Sequence, residues 1–208
     1  GLRVLAEARG VCLVVSMDSA TDSPLRDRIH GFLGSRTKTI RLTPWPIEVV
    51  RLFLKASLDA EDGKVIPKLI EHVAMVLEPA WPFEAIQAVF ELEESKRKTK
   101  SLSSEVTDES LDRAAEAVGG GATFADFLSK AMSRATIRAA TFLLEQLALA
   151  GSEIQLDEAA DKGRFRLHDL DAAARRLSEF GILDLDMKAR SVRPATGLMR
   201  RKLVQDFA

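Results

Sequence analysis

The side chains best suited to chemistry in this chain are cations near its C-terminus. Arg175, Arg176, Lys188, Arg190 and Arg193 fall in one short stretch, with Arg200, Arg201 and Lys202 just beyond. Guanidinium offers a planar fork of donors and ammonium a point charge, so such a cluster on one face suits phosphate, and double-stranded DNA is its expected ligand. Asp169, Asp171, Glu179, Asp184 and Asp186 are interspersed with these cations and oppose phosphate, which keeps a protein partner or a homo-oligomer as the alternative. At the other end, Ser16, Asp18 and Ser19 follow the apolar run Val11–Val15. A run covered on both faces suits a parallel strand, whose C-terminal end places polar groups over a ligand crevice. His30, His72, His168 and the single Cys12 are too widely spaced to suggest a metal site. Cys12 lies in the apolar run and reads as an inert buried thiol in a reducing, cytoplasmic setting. The formal net charge of −1 excludes coating nucleic acid by bulk charge, so any contact must be a local patch. No apolar run reaches membrane-span length, and the start lacks a secretory pattern.

These side chains must be held by particular elements. Asp169 is expected to cap a helix in which Leu170, Ala173, Ala174, Leu177 and Phe180 form one apolar face, leaving Arg175, Arg176 and Glu179 outside. Gly181 follows where a helix needs positive φ. Ile182–Asp186 alternates like a strand, Lys188, Ala189 and Arg190 form a tip, and Ser191–Arg193 returns. A helix ending in glycine, followed by a hairpin with a basic tip, resembles the recognition helix and wing of a winged helix-turn-helix.

Further upstream, Leu2–Ala8 reads as the tail of a helix, Pro24–Ile29 as a short helix and Thr37–Leu42 as a second strand. Pro46 suits a first helical turn, opening Ile47–Leu58 with Val50, Phe53 and Leu54 inward. Lys64–Leu77 and Pro82–Glu94 read as helices, and Ser95–Ser101 as a basic polar link. Thr107 is expected to cap another helix, ended by the domain boundary Gly119–Gly121. Phe124–Ala150 is helical in one or two pieces, and Ile154–Asp161 is a strand plus a helix. Trp45 and Trp81, each beside proline, are expected to plug a joint between subdomains. The expected fold is mainly α with a small α/β N-terminal part, a helical lid bundle and a C-terminal winged helix-turn-helix. Its divisions are 1–43, 44–118 and 122–208.

This order resembles the C-terminal part of AAA+ and STAND-type P-loop ATPases, most of all the initiator ATPases of the origin-recognition family. The residues that carry the resemblance are Val11–Ser19, Leu25–Leu42, Thr43–Leu54, Val106–Ala117 and Leu167–Val204. It implies that Ser16, Asp18 and Ser19 sense a nucleotide γ-phosphate, and that Arg26, Arg28 and Arg36 include an arginine finger acting on a neighbouring subunit, with Arg36 counted among the nucleotide-sensing residues. It also implies a winged helix coupling nucleotide state to DNA or a partner. The chain departs from the pattern in lacking G-x-x-x-x-G-K-[ST] and a strand ending in Asp-Glu, and in carrying Glu84 and Gln87 where a sensor-2 arginine is usual. No ATPase activity or cofactor is therefore expected of this chain alone; ATP and magnesium belong to a longer parent protein. Two rival readings are a free-standing winged-helix DNA-binding regulator and a protein-interaction module of a larger complex.

Overall fold

The structure is a computed structural model. It describes residues 43–58, 67–118 and 124–207, which lie in one compact unit, Thr43–Ala208. The strand at Val11–Ser19, the segment Leu25–Leu42, the candidate residues Ser16, Asp18 and Arg36, Cys12, and the boundary at Gly119–Gly121 lie outside the described residues. The described residues are mainly helical, with one small antiparallel sheet. None of their helices is long and apolar enough to cross a membrane.

The first part is a bundle of α1 (Ile47–Leu58), α2 (Pro67–Leu77), α3 (Pro82–Thr99) and α4 (Ser104–Val118). Its core is built from single faces of each helix: Val50, Leu54 and Leu58, then Val73, Ala74 and Leu77, then Ala88 and Leu92, then Leu111, Ala114 and Ala115. Trp45 closes this bundle from within. Its backbone N–H donates to the carbonyl of Ala80 at 2.6 Å, and its ring lies 5.4 Å from Phe53. It thus ties the entry of α1 to the α2–α3 connection, where a joint between subdomains is the expectation from sequence.

Two boundaries differ from the sequence reading. Helix α3 continues through Ser95–Lys98, so the expected basic link is its last turn, where Lys96, Arg97 and Lys98 complement the negative end of the helix dipole. Lys100, at φ 60°, ends it with its N–H on the carbonyl of Lys96. Helix α4 begins at Ser104, so Thr107 is not its cap. Ser103 takes that role, its Oγ accepting from the N–H of Val106, while Thr107 is buried and donates to the Ser103 carbonyl at 2.7 Å.

The second part runs α5 (Phe124–Ala131), α6 (Arg134–Ala150), β1 (Ile154–Gln155), α7 (Leu156–Gly163), α8 (Leu167–Glu179), β2 (Leu183–Asp186), β3 (Ser191–Pro194) and α9 (Gly197–Phe207). The sheet order is β1-β3-β2, antiparallel throughout, with Ile154 opposite Val192 and Leu185 also opposite Val192. Helix, strand, two helices across a three-residue turn and a hairpin together form a winged helix-turn-helix. Ser133 separates α5 from α6 and caps α6 by accepting from the N–H of Thr136. The core collects Leu143, Leu144 and Leu147 of α6, Leu156 of α7, Leu170, Ala173, Ala174 and Leu177 of α8, and Leu183 and Val192 of the sheet.

Candidate nucleic-acid interface

Helix α8 is oriented by its apolar face. Leu170, Ala173, Ala174 and Leu177 are fully buried, as their spacing predicts, and Phe180 packs against the same core. The helix begins at Leu167 with Arg166 at the N-cap, so Asp169 is not the cap. It sits in the first turn, where acids are favoured, and its carboxylate accepts from the Arg166 side chain at 2.9 Å. After α8, Gly181 takes φ +70° and its N–H bonds the Ser178 carbonyl, turning the chain into β2. Arg175 and Arg176 point outward.

The hairpin carries the other three predicted residues. Asp186 shapes its tip: one carboxylate oxygen accepts from the backbone N–H of Lys188 at 2.8 Å and of Ala189 at 2.9 Å. The Ala189 bond, then the Lys188 bond, hold the Asp186 carboxyl below its usual range. Lys188 and Arg190 are exposed on the resulting loop, and Arg190 adopts φ 49°.

The structure divides the five predicted DNA-contacting residues by their partners. Arg176 is held by Glu179 at 2.8 Å and lies 4.6 Å over the Phe180 ring. Arg193 donates through two nitrogens to Asp184, its direct cross-strand neighbour, at 2.9 and 2.6 Å. Arg190 reaches Asp157 of α7 at 3.4 Å. Arg175 and Lys188 are exposed and form no ion pair among the described residues. From Leu156 to Pro194 there are eight acidic and eight basic side chains, so this surface has no net excess of positive charge.

Arg201 and Lys202 of the C-terminal stretch do not belong to this face. Arg201 turns into the bundle, donating to Asp112 at 2.5 Å and to the carboxylate and carbonyl of Asp108 at 3.2 and 3.0 Å. Lys202 is buried between Glu116 and Asp206. Burial alone would lower its pKa, but the bonds to Asp206 and Glu116 outweigh that and raise it. Leu198 enters the bundle core and Leu203 the winged-helix core, so α9 serves both. The Gly197 N–H donates to the Pro79 carbonyl at 3.0 Å, and any Cβ there would collide with the backbone of Val76 and Leu77.

Beside that contact lies a buried carboxylate. Glu84 accepts from the Trp81 N–H at 2.6 Å and from the Thr196 hydroxyl at 2.6 Å. Burial raises its pKa, partly offset by those two bonds. In sequence Glu84 and Gln87 mark a departure, standing where the resembled pattern has a nucleotide-sensing arginine; in the fold, Glu84 caps α3 and fastens Thr196. One trace of the α9 contacts was present in sequence: Lys202 and Asp206 stand four apart on one helix face, next to apolar Leu198 and Leu203. Among the described residues no group of His, Cys, Asp and Glu is arranged to hold a metal ion. Compared with protein-family models, curated proteins and solved structures, the chain matches none.

Proposed function

We propose that this chain binds duplex DNA through its winged helix, and that the helical bundle is the lid that couples that module to an AAA+ or STAND-type P-loop ATPase. The observation that carries the DNA reading is the pair of exposed, unpaired cations on adjacent elements, Arg175 on the outer face of α8 and Lys188 at the hairpin tip. A helix presented to the major groove and a wing tip on the backbone would use them in that way. Coupling is supported by α9, which buries side chains in both cores, so a displacement of the bundle carries the winged helix with it. The ATPase assignment rests on the order of elements and remains a proposal about a longer parent protein.

The test is duplex binding by fluorescence anisotropy at several salt concentrations. Lys188→Ala with Arg175→Ala should weaken binding on all sequences and lower the salt slope by about two, since each phosphate contact contributes about 0.9. Wild-type protein that fails to bind at low salt ends the DNA reading.

A second reading, a protein-interaction module, draws on α3. Its inner face is small, with Ala85 and Ala88 buried, while Phe83, Ile86 and Phe90 are each 56% exposed along the outer face. Single exposed apolar residues are ordinary, but a large aligned set marks an interaction surface. In that reading a second copy covers the face: sedimentation velocity should show a dimer that Phe90→Glu dissolves, alongside absent DNA binding.

A further inference from the structure

Apart from the basic end of α3, a concentration of exposed positive charge lies neither on the wing nor on the middle of α8. It lies where the turn between α7 and α8 meets the first half of α6. Residues Lys162, Arg164, Arg166 and His168 follow one another at alternate positions, all exposed. Between them Phe165 is pinned to α6: its ring lies 5.1 Å from Phe142, and the Arg138 guanidinium sits 5.6 Å over it. Gly163 permits this approach, since a Cβ there would meet both phenyl rings. Arg138 therefore stands beside the turn, with exposed Arg134 one helical turn before it. The two stretches 134–144 and 162–168 contain five Arg and Lys and no acid. The carboxylates at the edge are Asp161 on α7, exposed, and Asp169 on α8, which pairs with Arg166 and lies 3.8 Å from His168. Lys162, Arg164 and Arg134 form no ion pair among the described residues.

Three of these residues stand where stability disfavours them. Arg134 occupies the first turn of α6, which has no acid, and Arg166 occupies the N-cap of α8; both set positive charge against the positive end of a helix dipole. Arg164 adopts φ 53°, a conformation that suits glycine. The N-terminus of α8 and the exposed cations around it together favour an anion there, because free N–H groups and side-chain charge act in the same direction. The contrast with the hairpin is direct: Arg190 and Arg193 are each met by an aspartate, whereas of the turn cations only Arg166 is, by Asp169, and Lys162 and Arg164 are not.

We infer that the α7–α8 turn, with Arg134 and Arg138 of α6, is the principal phosphate-contacting surface of this protein and seats one backbone strand of duplex DNA. This rests on the DNA reading above and changes where the main contact lies: the turn anchors the backbone, and Arg175 and Lys188 add to it. Backbone contacts of this kind fix orientation without reading sequence.

The experiment compares Lys162→Ala with Arg164→Gly against Lys188→Ala with Arg190→Ala, each bound to a labelled duplex of mixed sequence across salt concentrations. Glycine at position 164 relieves the backbone, so the first pair should melt no lower than wild type while losing at least tenfold in affinity and about two in salt slope. The wing pair should lose less. If the turn pair binds like wild type while the wing pair is weakened, the turn is not the anchor and this inference falls, although the DNA reading stands. If wild type does not bind at low salt, both fall.

Discussion

Helices α8 and α9 look alike in sequence, since each carries adjacent basic residues between apolar ones: Arg175-Arg176 in the first, Arg200-Arg201-Lys202 in the second. The fold uses them in opposite ways. On α8 the apolar stripe is narrow, so both arginines face water. On α9 both sides are covered, Leu198 by the bundle and Leu203 by the winged helix, and two of the three bases between them, Arg201 and Lys202, are paired. Asp108, Asp112 and Glu116 recur at every fourth position along α4 and meet Arg201 and Lys202 there. A basic run is thus a ligand surface or an internal clasp according to whether a second acidic helix faces it.

The comparison can be broken by a series of substitutions. The largest effect should come from the apolar stripe that orients α8. Leu177→Ala removes a fully buried side chain and should destabilise the protein by about 2–5 kcal/mol in urea denaturation. A smaller loss would mean that α8 is held chiefly by something other than this stripe. Next is the clasp. Lys202→Ala leaves Asp206, itself 11% exposed, without its ammonium partner, and should cost about 3 kcal/mol, whereas Arg175→Ala should stay within about 0.5 kcal/mol. Equal costs for the two would remove the distinction between the helices.

At the same contact, Gly197→Ala forces a methyl group against the Val76 and Leu77 backbone, which cannot rotate away. A loss of about 1–3 kcal/mol is expected, together with faster proteolysis between the two parts. An unchanged melting temperature and digestion pattern would show that α9 does not approach the bundle so closely.

The smallest effect concerns pH. The folded protein raises the pKa of Glu84 by burial, so it holds that proton more tightly than the unfolded chain does. The associated stability is fully present below the ordinary glutamate range and is lost as pH rises through the higher value of the buried group. Wild type should therefore lose stability relative to Glu84→Gln over that window. A difference independent of pH would place the carboxyl in a wetter site than the fold gives it.

Local rules within the sequence account for much of the architecture. The apolar spacing of Leu170 to Leu177 determined both the existence of α8 and its buried face, because a period of 3.6 leaves one choice of side. The inward set Val50 and Leu54 of α1 was legible for the same reason, Gly181 because positive φ favours glycine, and β2 with its tip because a strand alternates with period 2. Boundaries were less legible. Ser95–Lys98 reads as a polar link by composition yet remains helical, since bases at a helix C-terminus are favoured by its dipole. Ser103 displaced Thr107 as a cap because the helix starts one turn earlier than a Thr107 cap would place it, where the Ser103 hydroxyl serves the first free N–H groups equally well.

What only the tertiary structure decided is which charge meets which. The pairs Arg201 with Asp108 and Asp112, Lys202 with Glu116, and Glu84 with Thr196 join residues far apart in the chain, and no local period encodes such a distance. The exposed cluster around Phe165 likewise depends on α6 supplying Arg138 and Phe142 from another part of the sequence. Sequence determines how many charges a helix carries and on which side. Whether that side meets water or a carboxylate is settled only when the helices pack, because Coulomb attraction and desolvation depend on distance and burial rather than on order along the chain.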